Sequence, residues 1–247
     1  MKVIIYGAAG HMGQNLIKLI DSGAFDMETA AYVSRSFATD QALKQYPRLA
    51  DFDGEADVII DFSNHEAVKE ILDYCTEKKL PAVIATTGHT EEEKELIKKA
   101  SYTIPVFFAA NMSIGIAVMA DLVRRAAMAF PDADIEIVEA HHNRKVDVPS
   151  GTALMLAESV RSARPEASFN IGRHENGKRT KEEIGIHSLR LGNVVGMHEI
   201  LITTGRETIT LKHEAFDRAL FAEGALRAAE FISGKPAGAY GMKDMLA

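Results

Sequence analysis

The 247-residue sequence predicts an α/β protein: a parallel-sheet domain with a second domain inserted, built on a largely antiparallel or mixed sheet. Three observations carry that expectation. Short runs rich in Val, Ile and Phe alternate with helical patterns as far as about residue 111. A glycine turn, Gly7-Ala8-Ala9-Gly10-His11-Met12-Gly13, follows the very first of these runs. Beyond Asn111 the alternation stops, and three strand-like stretches come in succession with turn residues between them.

Val3-Ile4-Ile5-Tyr6 reads as a buried strand, and Met12, Leu16 and Ile20 recur along one face of the helix after it. Ala30 to Val33 is a second strand. Val58-Ile59-Ile60 is a third, and Asp61-Phe62-Ser63-Asn64 at its end suits a cap on a helix from about His65 to Lys79. Ala82 to Ala85 is a fourth, with Thr86-Thr87-Gly88 as its turn and Thr90 with Glu93 as the capping box of the next helix. Val106 to Ala109 is a fifth. The second domain begins with a long helix from about Ser113 to Phe130, the strand Ile135 to Val138 and a helix from about Thr152 to Arg164. Arg164 to Lys181, rich in Gly, Asn, Pro and charge, reads as a loop. Ile184 to Leu191, Val194 to Thr204 and Glu207 to Leu211 read as strands, with Gly192-Asn193 and Gly205-Arg206 as hairpin turns. An Ala- and Leu-rich helix from Asp217 to Ile232 precedes a short tail. The expected domains are 1–111 with 214–247, and 112–213.

Hydrophobic residues make up 47% and charged ones 26%, the mix of an ordinary globular protein. A formal charge of −7 argues against a general nucleic-acid or anionic-membrane binder, so an anionic substrate needs a local basic pocket. The single cysteine, Cys75, cannot form an internal disulfide and sits in an amphipathic helical pattern as a core thiol. No run approaches membrane-spanning length, and the N-terminal run is too short for a signal peptide. The expectation is a soluble cytoplasmic protein without nucleic-acid or membrane partners.

Glycines at Gly7, Gly10 and Gly13 lie where a dinucleotide fold bends tightly and aims helix N–H groups at a pyrophosphate. Their spacing is G-x-x-G-x-x-G, so plain turn chemistry stays open beside the phosphate reading. The second strand ends in Ser34-Arg35-Ser36, where an NAD binder places an acid for the ribose. A guanidinium and hydroxyls favour a 2′-phosphate, which leans towards NADPH over NADH, although a lone arginine is also an ordinary solvated residue.

The densest chemistry is Glu139-Ala140-His141-His142-Asn143-Arg144-Lys145-Val146-Asp147-Val148-Pro149-Ser150-Gly151-Thr152-Ala153. Neither His-His nor His141 with Lys145 has metal-ligand spacing, and no metal is expected. Ser150 lacks the G-x-S-x-G elbow of a nucleophile. As the N-cap of a helix, Ser150 would leave Gly151 and Thr152 N–H groups to bind a carboxylate, with Lys145 adding charge. A histidine titrates near neutrality and suits proton donation. Capping alone explains Ser150 but leaves His141, His142 and Lys145 unexplained as a cluster.

These stretches, with Ala85-Thr86-Thr87-Gly88, Ala109-Ala110-Asn111-Met112-Ser113, Arg190 to Glu199 and Lys212 to Arg218, resemble in order the motifs of the dihydrodipicolinate reductase (4-hydroxy-tetrahydrodipicolinate reductase) family. The resemblance covers nearly the whole chain. It implies a Rossmann-like domain completed by the C-terminal helix, and a cytoplasmic homotetramer in lysine and diaminopimelate synthesis. It implies NADPH or NADH as cofactor, with Ala85, Thr86, Thr87, Ala109, Ala110, Asn111 and Met112 at the nicotinamide; together with the turn and second strand read above, Gly7, Ala8, Ala9, Gly10, His11, Met12, Ser34 and Arg35 complete the expected cofactor residues. It implies His141 as general acid with Lys145 as its catalytic partner, and His142, Ser150, Gly151 and Thr152 on a cyclic dicarboxylate substrate. Three departures stand out: His11 replaces a usual Arg or Lys, Ser34 replaces a frequent ribose-binding acid, and Ser36 to Ala56 is short. Two rivals are an aldehyde dehydrogenase, which needs a cleft cysteine that Cys75 does not supply, and a nucleotide-sensing regulator, which has no use for the His141 cluster.

Overall fold

A computed structural model describes all 247 residues. In chain order the elements are β1 (Lys2–Tyr6), α1 (His11–Asp21), β2 (Glu28–Val33), β3 (Gln45–Tyr46), β4 (Val58–Asp61), α2 (Val68–Lys78), β5 (Ala82–Ile84), α3 (Glu91–Ser101) and β6 (Pro105–Phe108). Then follow α4 (Ile114–Ala129), β7 (Asp134–His141), α5 (Gly151–Ala163), β8 (Ser168–Ile171), β9 (Glu183–Arg190), β10 (Gly196–Thr203) and β11 (Thr208–Ala215). The chain closes with α6 (Ala219–Ile232), β12 (Gly238–Tyr240) and α7 (Met242–Met245). Two compact units result, Met1–Ser113 with Arg218–Ala247, and Ile114–Asp217. The second junction falls a few residues beyond the expected 213/214 because β11 runs on to Ala215.

The first unit is a parallel sheet in the order β12-β6-β5-β4-β1-β2-β3. Alternation along each strand feeds two cores. Ile4, Ile59 and Ile84 face the layer of α2 and α3, while Val3, Ile5, Val58 and Ile60 pack with Leu16 of α1 and Ala225, Leu226 and Ala229 of α6. Burial on both faces is why these strands read as uninterrupted apolar runs. The alanine-rich face of α6 lets it approach closely. A Cβ at Gly224 would stand 1.8 Å from the Met112 carbonyl oxygen.

The short Ser36 to Ala56 segment holds no α-helix. Between β2 and β4 stand only the two-residue β3 and a single 3₁₀ turn at Leu49–Asp51, and Tyr46, Leu49 and Phe52 fill the core in place of a crossover helix. The short C-terminal tail, to which no element was assigned, supplies β12, which pairs parallel with β6 at Ala239↔Val106. Three residues that include Gly238 carry too little apolar pattern to announce a strand.

The second unit is a mixed sheet in the order β11-β10-β7-β9-β8. Ile135, Ile137, Ile184, Ile186, Ile200 and Ile202 turn one face towards Ile116, Met119 and Val123 of α4 and Leu156 and Val160 of α5. Two expectations are corrected here. Gly192-Asn193 closes no hairpin: β9 and β10 lie on opposite sides of β7, parallel and antiparallel to it. The reason is visible at the turn, where Leu191 N–H bonds the His141 carbonyl at 2.7 Å and Asn143 N–H bonds Gly192 at 3.2 Å. The chain leaving β9 is held by the end of β7 and crosses it. The loop expected over Arg164 to Lys181 contains β8, whose Phe169 packs on the core beneath Arg161. Gly205-Arg206 does join an antiparallel pair, with Ile202 opposite Ile209.

No helix is long and apolar enough to cross a membrane.

Candidate functional site

The central strand of the second unit, β7, outlasts its apolar run and carries Glu139 and His141 on the same face as Ile135 and Ile137. Register then places their neighbours. Glu139 lies opposite His198 on β10 and Ser188 on β9, and His141 lies opposite Arg190.

Glu139 is fully buried and its two oxygens receive four donors. Oε2 stands 2.6 Å from Nδ1 of His141 and 3.0 Å from Arg190 Nη1. Oε1 accepts from Arg190 Nη2 at 3.0 Å and from the Ser150 N–H at 3.2 Å. Burial pushes the carboxyl up, but the His141 and Arg190 hydrogen bonds outweigh it and pull the pKa down to about 2. A carboxylate that stays ionised needs a donor at His141, so Nδ1 carries a proton and Nε2 is the atom left for chemistry. Beside Nε2 stands Gly196, where a Cβ would lie 3.2 Å away. Arg190 is itself anchored on the Asp147 carbonyl at 2.7 Å.

Ser150 caps α5: its Oγ accepts the Ala153 N–H at 3.2 Å and stands 3.1 Å from His198 Nε2. His198 also meets the His141 ring edge-on, centroids 5.2 Å apart. Burial first, and the His141 charge second, push its pKa down to about 3, so it is neutral and takes part as a hydrogen-bonding ring. Gly151 is exposed at the first turn of α5, with nothing within 4 Å of where a Cβ would be. Thr152 and His142 are half-buried.

The structure thus joins His141 and Ser150 through Glu139. Lys145 sits on the turn after β7, its N–H on the His142 carbonyl at 3.1 Å, but its ammonium pairs with Asp147 at 2.8 Å. Sequence reasoning missed Glu139, Arg190 and His198 as site residues. Glu139 was legible as the i−2 neighbour of His141 on one strand face. Arg190 and His198 were not, because only the strand order brings them in.

The first unit gathers its sequence-predicted residues at the carboxyl ends of parallel strands. Gly7 has φ +88° and a Cβ there would meet the Phe62 oxygen at 2.3 Å, so the turn needs glycine. Gly13 lets α1 close on the turn, since a Cβ would lie 2.4 Å from the Gly7 oxygen. Gly10 begins α1 without a side-chain cap, and this end therefore offers backbone N–H groups to an anion. Gly7 and Ala8 N–H groups bond the Val33 carbonyl at 2.9 and 3.1 Å, which fastens the turn beside Ser34 and Arg35. Arg35 is exposed; Ser34 Oγ stands 3.0 Å from Ser36 Oγ. His11 and Ala9 are exposed and Met12 half-buried. Thr87 is exposed after β5, whereas Ala85 and Thr86 are buried. Beyond β6, Ala109 and Asn111 are half-buried and Ala110 exposed, while Met112 belongs to the core at 2% exposure.

Comparison with known proteins agrees in both units. Residues 1–112 match the family model for the dihydrodipicolinate reductase N-terminus, and residues 115–246 the one for its C-terminus. A 4-hydroxy-tetrahydrodipicolinate reductase of Clostridium tetani is 42% identical, over all of this chain and 97% of that protein. One from Caldanaerobacter subterraneus is also 42% identical, over all of this chain and 98% of its own length. Among solved structures, dipicolinate-bound dihydrodipicolinate reductase from Paenisporosarcina sp. TG-14 superposes with a TM-score of 0.81 at 25% identity, covering 98% of this chain and 97% of that one.

Proposed function

The chain belongs to the dihydrodipicolinate reductase family, and we propose how its own residues perform that family's reaction. The reaction is the NAD(P)H-dependent reduction of 4-hydroxy-tetrahydrodipicolinate in lysine synthesis. Loss of the 4-hydroxyl as water leaves a C=C–C=N system in the heterocycle, and a bound nicotinamide would supply the hydride to it. The glycine turn before α1 takes the pyrophosphate, Ser34 and Arg35 take the adenosine ribose, and Ala85 to Thr87 with Ala109 to Asn111 line the nicotinamide end. Met112, 2% exposed, supports that end from the core.

His141 is the general acid. Hydride addition leaves an electron-rich enamine, and Nε2 gives the proton that completes reduction at carbon. Glu139 holds Nδ1–H, which fixes the tautomer and the plane of the ring. Arg190 and the Ser150 N–H saturate Glu139 so that it does not take the proton itself. The substrate is a cyclic dicarboxylate; Gly151 and Thr152 at the start of α5, His142 and Lys145 hold its carboxylates, with Lys145 leaving Asp147 for the incoming anion. The observation that carries this reading is the 2.6 Å Glu139–His141 hydrogen bond inside a carboxylate with every lone pair used. Oxidation of NADPH and NADH with freshly generated hydroxy-tetrahydrodipicolinate tests it. Nucleotide binding without turnover would support a sensor instead.

The protein works as a cytoplasmic homotetramer assembled through the second unit. Its sheet is covered by helices on one face only, and Leu189 stands 43% exposed on the other. A monomer in light scattering at micromolar concentration would contradict this.

A further inference from the structure

Asp61 closes β4 with its side chain on the α2 face of the sheet, fully buried and with no cation beside it. Ser63 Oγ donates to its Oδ1 at 2.5 Å. The Ser63 N–H in turn donates to Thr86 Oγ1 at 2.8 Å, and the Ala85 N–H donates to the Asp61 carbonyl at 3.0 Å. Asp61 Oδ2 is buried without a hydrogen-bond partner. We propose that Asp61 is a positioning residue for the nicotinamide end of the first unit: through Ser63 and Thr86 it locks the loop after β4 to the loop after β5. The proposal rests on the reading of Ala85 to Thr87 as the nicotinamide loop, and adds a residue to it. It also divides the labour of the two threonines. Thr86 is buried and its oxygen is engaged by Ser63, so it shapes the loop, while exposed Thr87 is left to face a ligand.

A merely structural role fits Asp61 poorly. An unpaired carboxylate in an apolar layer costs folding free energy, and a neutral residue would fill the same space without that penalty. Burial pushes the Asp61 carboxyl up to about 6, against which the hydrogen bond from Ser63 pulls only part of the way back. A carboxyl whose folded pKa is raised adds stability below its unfolded pKa and loses it as pH rises through the folded one. At neutral pH, Asp61 therefore opposes folding. The titratable groups facing it are Tyr6, its register partner on β1 and hydrogen-bonded to Glu70, and Cys75 on α2. Burial pushes both up, so neither charges across this range, and β5 presents only Ile84.

The test uses Asp61→Val, Asp61→Asn and Ser63→Ala in the full chain. Calorimetric Kd values are read for NADPH and, separately, for pyridine-2,6-dicarboxylate, with Tm recorded at pH 7.5 and pH 4. Asp61→Val should weaken NADPH about tenfold while Tm at pH 7.5 stays level or rises, a gain that vanishes at pH 4. The dicarboxylate Kd should not move. Asp61→Asn keeps one acceptor for Ser63 and should recover most of the NADPH affinity. Ser63→Ala reports the same tie from an exposed residue, and should weaken NADPH even if the Val variant fails to fold. Wild-type NADPH affinity in Ser63→Ala and any folded Asp61→Val overturns the proposal, as does a loss of affinity accompanied by a lowered Tm at pH 7.5. Failure of the wild-type chain to bind either nucleotide would instead sink the underlying cofactor reading.

Discussion

Glu139 Oε2 and His141 Nδ1 lie 2.6 Å apart, two residues along one strand and on one face of it. The strand's period of two makes them neighbours, and the four donors on Glu139 make the contact permanent. Converting Glu139 to Gln keeps the shape but replaces an acceptor oxygen by a donor that opposes either Nδ1–H or Arg190. The expected outcome is a fall in kcat of about 10–100-fold. A loss of stability of about 3–5 kcal/mol should accompany it, because the Arg190 charge is left uncompensated. Steady-state kinetics with a denaturation curve checks both, and an unchanged kcat would remove Glu139 from the proton-delivery machinery.

Gly196 keeps the ring's reactive side open. Alanine there would put Cβ 3.2 Å from His141 Nε2, so the ring must shift by a few tenths of an ångström. Fold and nucleotide affinity should survive, since Gly196 sits at a strand end. A kcat lowered about tenfold with little change in nucleotide KM is the expected kinetic signature. A fully active Gly196→Ala would mean that the acid tolerates more movement than a fixed imidazole should.

His198 predicts an acid-sensitive fold. Its pKa is about 3 in the folded chain and near 6.5 when unfolded, so the stability it contributes is complete above 6.5 and drains as pH falls towards 3. Between pH 6.5 and 5 the loss is about 2 kcal/mol. His198→Gln should flatten the Tm profile over that interval. His89 and His213, both pushed down by burial, keep a residual slope of the same sign, while Asp61, pushed up to about 6, adds one of opposite sign as pH falls through that value. Glu139 adds a further loss only as pH falls through the interval from 4.5 to about 2. A profile unchanged by the substitution would show that His198 charges readily in the fold.

The nucleotide choice turns on Arg35, exposed beside the glycine turn. Arg35→Ala should weaken NADPH more than NADH, by about tenfold for one lost guanidinium–phosphate pair. Equal losses for both nucleotides would mean that Arg35 does not see the 2′-phosphate.

Much of this architecture was legible in the residues. The parallel sheet announced itself because Val3 to Tyr6, Val58 to Ile60 and Ala82 to Ile84 are buried on both faces. The capping box Thr90–Glu93 and the Ser150 cap stand where their side-chain chemistry put them. What stayed hidden depends on strand order. Gly192-Asn193 has hairpin composition, yet β7 lies between the strands it joins, and no local pattern encodes that insertion. The same insertion makes Arg190 and His198 neighbours of Glu139 from opposite sides, so the site's supporting residues were as invisible as the topology. β8 and β12 escaped because four and three residues hold too little period against polar flanks.

Lys145 and Thr152 should fail differently. Lys145→Ala removes a charge that serves both anion binding and proton delivery, so kcat falls and KM rises together. Thr152→Ala keeps the backbone N–H at the start of α5 and should be mild. A severe Thr152→Ala defect would transfer the carboxylate from the helix terminus to the hydroxyl.

The most direct test of His141 as the acid is kcat for NADPH oxidation by His141→Gln with freshly generated hydroxy-tetrahydrodipicolinate. Glutamine fills similar space and can still meet Glu139, but has no proton to give near neutral pH. kcat should fall by about 10²–10⁴-fold with NADPH affinity unchanged. A near-normal kcat would contradict it and move the proton to His142 or to water.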